Sequence, residues 1–182
     1  MTVAIAEAEL ARGSTGDNPW VGCVITLDDV VIGRGHTQGP GEDHAEIGAL
    51  RDARQRGIDL GDATLYSTLE PCSFHGRTPA CAAVIAESGI RRLVTGIRDP
   101  NPRVDGAGLA IVRAAGIDVT EGVRGDAIRR QLGSWVVRYH PHEPIRRAQS
   151  LRHLARAEIV RAIADAYALD PAVADELVQR AC

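Results

Sequence analysis

Apolar residues recur with two different periods along this chain, and the changes of period divide it into elements. Within residues 2–12, Val3, Ile5, Ala6, Leu10 and Ala11 fall mostly on one helical face, and Gly13 offers a stop. Residues 20–26 and 30–33 are β-rich runs separated by Leu27, Asp28 and Asp29, which predicts a hairpin. Within residues 44–56, Ala45, Ile47, Leu50 and Ala53 suit a helix that ends at Gly57. The pattern then alternates: strand 63–69, helix 79–87, strand 92–97, helix 108–115 stopped by Gly116, and strand 117–120. Strands alternating with single helices predict an α/β sandwich whose later strands run parallel, with active groups in loops beyond the strand ends.

Past residue 123 the strand pattern stops. A helix is predicted at residues 131–139, a break at residues 140–144 (His-Pro-His-Glu-Pro), and a second helix from about Ser150 to Ala168. Asp170 and Pro171 suit the N-cap and first position of a last helix. Residues 1–123 carry a net charge of −6 and residues 124–182 one of +3. The chain therefore divides into an α/β domain, 1–123, and a helical extension, 124–182. The extension reads as a packing or dimer-forming element: its arginines are interleaved with acids and lack aromatic partners, which disfavours nucleic acid.

Composition narrows the chemistry. At 182 residues, 45% hydrophobic and 25% charged, the chain can bury a sizeable core, but aromatics make up only 3%, so aliphatic residues must fill it. The overall charge of −3 argues against a generally cationic surface for nucleic acid or membrane. No apolar stretch reaches the roughly 20 residues needed to span a bilayer, and the acidic residues among the first 17 do not suit a secretory signal. A cytoplasmic location is expected. All 21 basic residues are Arg. Without Lys there can be no Schiff base and no Walker-type phosphate loop.

The candidate chemistry lies in His44-Ala45-Glu46, in Cys72 after Pro71, and in Cys81. His44, Cys72 and Cys81 are three zinc-type ligands, and three protein ligands leave one tetrahedral position for water, as in catalytic sites. Zinc lowers the pKa of such a water to about 7. Glu46, two residues from His44 on the first helical turn, can take its proton and deliver it to a ring nitrogen and a leaving amine. Each motif alone has a plainer reading, a helix start or a pair of buried thiols. Their order removes it: His-x-Glu opens a helix, Pro-Cys follows a strand, and the second Cys enters the next helix. Cys23 and Cys182 lack that context.

This order resembles the zinc-dependent cytidine deaminase superfamily. The spacing departs from the common C-x-x-C form, because eight residues separate Cys72 from Cys81. That longer loop resembles the deaminase domain of riboflavin-biosynthesis deaminase/reductases, as do residues 18–25 (NPWVGCVI), Gly35-His36, and Asp99-Pro100-Asn101-Pro102 with Gly106 and Gly108. The resemblance covers residues 3–123. It implies a three-layer cytidine-deaminase-like sandwich with a central mixed five-stranded sheet, bound Zn2+, and hydrolytic deamination of 2,5-diamino-6-ribosylamino-4(3H)-pyrimidinone 5′-phosphate. It further implies a homo-oligomer, a dimer in the first instance, acting on a small aminopyrimidine bearing a ribosyl phosphate. By matching positions Asn18, His36 and His75 would contact base or sugar, and Asp99 and Asn101 the ribose phosphate. Arg77 and Thr78 suit a phosphate independently, through charge-assisted hydrogen bonds.

Two departures bear on the substrate. Phe74 stands where the family usually has His, two residues after the first zinc Cys, and residues 124–182 are too short for the reductase and lack a glycine-rich dinucleotide loop. Two other readings stay open: a pathway-specific deaminase of a related aminopyrimidine or amino-heterocycle in specialised metabolism, and a non-catalytic zinc-stabilised binding module. A structural zinc would need a fourth ligand and no proton shuttle, which Glu46 contradicts.

Overall fold

The computed structural model describes residues 1–76, 78–140 and 142–181, in two compact units meeting at Gly125/Asp126. The first unit is built on a five-stranded sheet in the order β2-β1-β3-β4-β5. Strands β1 (Gly22–Leu27) and β2 (Val30–His36) form the expected antiparallel hairpin. Its two turn residues, Asp28 and Asp29, both take positive φ, the conformation that suits a tight hairpin to strand twist. Strand β1 also pairs antiparallel with β3 (Thr64–Leu69), whereas β3, β4 (Arg92–Ile97) and β5 (Asp118–Thr120) run parallel. The sheet is therefore mixed and the fold α/β, as expected.

Helices cover both faces. Helix α1 (Thr2–Glu9) lies over Gly22, where an added Cβ would stand 2.0 Å from the Ala4 carbonyl oxygen. Helix α2 (Ala45–Gln55) lies over Gly33 and Gly35, where an added Cβ would meet the carbonyl oxygens of Ala49 and Ala45 at 2.4 and 2.2 Å. Gly22 pairs with His36, one residue beyond Gly35, so strand alternation puts the two helices on opposite faces. These glycines do not end β2 at residue 33, as propensity suggested. They extend it, because the helix backbone needs their empty side-chain space. Helices α3 (Cys81–Ala86) and α4 (Ala107–Ala114) link the parallel strands and touch one another. The large fully buried side chains of this unit, among them Ile25, Leu50, Leu65, Leu93 and Leu109, are aliphatic.

The second unit holds helices that the sequence pattern placed only in part. Helix α5 (Gly125–Gln131) begins at the boundary and was not expected, and α6 (Gly133–Tyr139) matches the first predicted helix. The expected break at residues 140–144 is instead the start of α7 (His142–Ser150). Pro144 sits in its first turn, where the missing N–H has no intrahelical partner to lose. The following helix starts at Arg156 rather than Ser150: α8 (Arg156–Tyr167) is opened by Glu158, whose carboxylate accepts from the Ala155 backbone N–H at 2.9 Å. Helix α9 (Pro171–Gln179) has the predicted Asp170 cap, which accepts from the Ala172 N–H at 2.8 Å. Gly133 lets α6 approach α8 so closely that any Cβ would overlap the Tyr167 carbonyl. No helix among the described residues is long and apolar enough to cross a membrane.

Tyr167 is the largest fully buried side chain, and its hydroxyl donates to Glu143 at 3.3 Å. Burial, reinforced by the Glu143 charge, lifts its phenol to about 12 from the ordinary 10.0. The folded form thus holds the proton more tightly than the unfolded form. Its contribution to stability is complete below pH 10, falls as pH rises, and is gone above about 12. Denaturant titrations of wild type should show stability falling over that window, and Tyr167→Phe should flatten the fall. An equally steep fall in Tyr167→Phe would assign it to other groups.

Candidate functional site

Three chain segments deliver the chemistry to one end of the sheet. His44 immediately precedes α2 in extended conformation, and its side chain makes no cap hydrogen bond, which leaves the ring free to turn toward Cys72 and Cys81. Cys72 follows the end of β3, and Cys81 is the first residue of α3. Nδ1 of His44 lies 3.7 Å from Sγ of Cys72 and 3.3 Å from Sγ of Cys81. All three ligand atoms lie within 4.8 Å of one another. Tetrahedral zinc, with Zn–S about 2.3 Å and Zn–N about 2.0–2.1 Å, separates its ligand atoms by about 3.4–3.8 Å. The His44, Cys72 and Cys81 donors therefore fit that ion.

Of the two thiols, that of Cys72 is arranged to carry negative charge. The Cys81 backbone N–H donates to Sγ of Cys72 at 3.3 Å. Cys72 is drawn down to about 4, first by the hydrogen bond it accepts from the Cys81 thiol and then by His44. Cys81 is correspondingly pushed well up, by that same bond and by burial. The bond to Cys72 also raises His44 above its usual value. Glu46 lies in the first turn of α2 and is 4% exposed. Burial raises its carboxyl to about 7, against the opposing pull of His44. It stands next to the ligand group without belonging to it.

His44 and Cys72 open onto a cavity of about 560 Å³. Asn18 and Thr78 line it, together with Asp17, Glu42 and Phe74. Asn18 is presented by a short turn in which the buried Thr15 hydroxyl donates to the Asn18 carbonyl at 2.6 Å. His75 is exposed on the loop after Cys72 and is not among the cavity-lining residues. Arg77 lies outside the described residues.

The other candidates stand apart from this cavity. His36 faces a smaller one of about 220 Å³, with its Nδ1 3.1 Å from the largely buried carboxylate of Glu7 on α1. Asp99 and Asn101 shape a turn: Asp99 accepts from the Asn101 N–H at 2.9 Å, and Asn101 from the Arg103 N–H at 3.1 Å.

The sequence profile of the cytidine and deoxycytidylate deaminase zinc-binding region matches residues 1–97. The chain belongs to this deaminase family. Over 123 residues it is 46% identical to the riboflavin biosynthesis protein RibD of Escherichia coli (strain K12), an alignment covering 68% of this chain and 33% of that protein. It is 42% identical over 123 residues to the diaminohydroxyphosphoribosylamino-pyrimidine deaminase of Buchnera aphidicola subsp. Schizaphis graminum (strain Sg), covering 68% of this chain and 82% of that one. The crystal structure of a diaminohydroxyphosphoribosylaminopyrimidine deaminase/5-amino-6-(5-phosphoribosylamino)uracil reductase from Thermotoga maritima superposes with a TM-score of 0.72 at 39% identity, covering 78% of this chain and 40% of that chain. The chain thus spans about a third of the length of the Escherichia coli RibD it matches. The zinc-binding character of the deaminase family agrees with the donor set found here.

One residue of the deaminase motif carries a duty that its sequence did not disclose. Glu70, between Leu69 and Pro71, is 3% exposed. Its carboxylate accepts four backbone N–H groups: Asp99 at 3.1 Å, Gly106 at 3.0 Å, Gly108 at 3.0 Å and Leu109 at 3.3 Å. An acid directly after a β-rich run is the only sign of this in the sequence, since a carboxylate stays buried there only with partners.

Protein purified without chelator is expected to contain about one zinc per chain, as three ligands and an open position dictate. Elemental analysis of Cys72→Ala and Cys81→Ala should show most of it lost. Full zinc content in both would assign the ion elsewhere.

Proposed function

We propose that this member of the deaminase family carries out the zinc-dependent hydrolytic deamination of 2,5-diamino-6-ribosylamino-4(3H)-pyrimidinone 5′-phosphate at C2, releasing ammonia. The observation that carries the reading is a three-donor metal group, His44, Cys72 and Cys81, beside a buried carboxylate, Glu46, that does not belong to it. A purely structural zinc uses four protein ligands. The relatives named for diaminohydroxyphosphoribosylaminopyrimidine deamination support the choice of substrate.

In the reaction a C2–O bond forms from water and the C2–N bond to the exocyclic amine breaks. When bound, zinc supplies Lewis-acid activation of water near neutral pH. Glu46 takes a proton from water at its carboxylate oxygen and passes it to the ring nitrogen beside C2. It then moves the remaining hydroxyl proton to the departing amine, leaving a carbonyl at C2 and ammonia. Asn18, on the cavity wall, is placed to read a polar edge of the base. Thr78 lines the same cavity and, with Arg77 next to it in the sequence, supplies the donors that suit the 5′-phosphate. Residues 124–182 serve as a helical extension without reductase chemistry of their own.

A second reading has one observation in its favour. Asp17 and Glu42 also line the cavity, and their carboxylates would oppose a phosphate. A pathway-specific deaminase of a related, uncharged amino-heterocycle would suit them better.

Ammonia release from matched phosphorylated and dephosphorylated aminopyrimidines separates the two. The phosphorylated substrate should be preferred, and Arg77→Ala should lower its kcat/KM by about 10- to 100-fold, the loss of one charge-assisted contact, with zinc content unchanged. Preference for the dephosphorylated compound would favour the second reading. Metal-replete Glu46→Gln should lose about 10²- to 10⁴-fold in turnover. Activity near wild type would move the proton transfer to another group.

A further inference from the structure

Phe74 is an unusual feature of a chain so poor in aromatics, and it lines the cavity that His44 and Cys72 open onto. Its ring does not hang free. The guanidinium of Arg103 lies over one face, 4.0 Å from the ring centroid. The loop carrying Phe74 is tied to Arg103 a second time, because the Ser73 hydroxyl donates to the Arg103 carbonyl at 3.2 Å. Arg103 in turn is fixed from within. Its backbone N–H donates to Asn101, the Asn101 N–H donates to Asp99, and the Asp99 N–H donates to buried Glu70.

We propose that Phe74 is the stacking wall for the substrate's heteroaromatic ring, and that Arg103 is the positioning residue that holds it. This rests on the proposed deaminase reading and names which part of the ligand the cavity grips by its π-face. A cation on one face pins an aromatic ring in place, and the pinned ring borders the cavity. A stacking surface is tolerant of ring identity, since every base has a π-face. Phe74 and Arg103 therefore set how tightly a flat aminoheterocycle is held, and the polar groups set which one is chosen.

Calorimetric titration of the zinc-loaded full chain tests this with three probes: an aminopyrimidine, an aminopurine, and ribose 5-phosphate, which has no ring to stack. Phe74→Leu keeps apolar volume without a π-face. It should weaken ring-bearing probes by about 10-fold, consistent with the worth of one base–aromatic stack, and leave ribose 5-phosphate unchanged. Phe74→Tyr should restore binding. Arg103→Gln should weaken the ring-bearing probes several-fold in wild type and have no further effect in Phe74→Leu, because it acts through that ring. Equal weakening of all three probes, no weakening of any, no binding of either ring probe by wild type, or an Arg103→Gln loss that adds to the Phe74→Leu loss would overturn the proposal. Wild-type binding of the aminopurine but not the aminopyrimidine would leave the stacking wall standing and overturn the proposed substrate.

Discussion

The buried carboxylate of Glu70 is the joint on which the metal end of this domain depends. It leaves β3 two residues before Cys72 and accepts the N–H groups of Asp99, Gly106, Gly108 and Leu109. Those donors are the start of the loop after β4 and the open N-terminal turn of α4, so a single acid ties two parallel strands and a helix to the cysteine loop. Desolvating a carboxylate costs several kcal/mol. Four hydrogen bonds to a charged acceptor, each contributing about 1.5–3 kcal/mol, together with the helix N-terminus, outweigh that cost. Gly108 is required by the same closeness: a Cβ would stand 1.9 Å from the Pro71 carbonyl oxygen.

The other half of the site is positioned by the absence of side chains. Gly33 and Gly35 let the backbone of α2 rest on β2, which fixes the height at which His44 and Glu46 arrive. Glycine within a strand costs conformational entropy and offers nothing to pack, and the helix lying across it makes up the difference. A bulkier residue at either position would lift the helix start, and with it the first ligand and the carboxylate beside it. Close packing of backbone on backbone thus does for His44 what a buried charge does for Cys72.

These two devices differ in how far the sequence discloses them. The metal donors were legible because their chemistry needs particular residue types at particular element boundaries: His before a helix, Cys after a strand, Cys at a helix start. The strands of the first unit were legible for a similar reason, since β-rich runs bounded by turns allow little else. Three-dimensional pairing was not. Nothing near His36 in the sequence announces Glu7, 29 residues away and 3.1 Å from its ring. The roles of Asp99 and Asn101 likewise emerge only once Glu70 is seen to organise their turn. In the helical extension α5 was missed, α7 was read as a break because a first-turn proline, Pro144, is compatible with helix where a local reading sees a stop, and α8 was started too early because its Glu158 cap fixes the start at Arg156 rather than Ser150.

Precision at such a site has to be set against access. The donors and Glu46 sit within or immediately beside elements locked by strand pairing, glycine contacts and a buried carboxylate, which limits how far they can shift to suit a ligand. Fixed polar geometry of this kind needs little reorganisation when charge develops beside it. Asn18, Glu42, Phe74 and Thr78 lie instead on connecting segments of the chain, where insertions and substitutions are tolerated without disturbing the sheet. In this chain the metal donors therefore belong to the scaffold and the cavity wall to the loops. It follows that a chain can keep His44, Glu46, Cys72 and Cys81 unchanged while substitutions at polar wall residues such as Asn18 and Thr78 change which ligand the cavity takes.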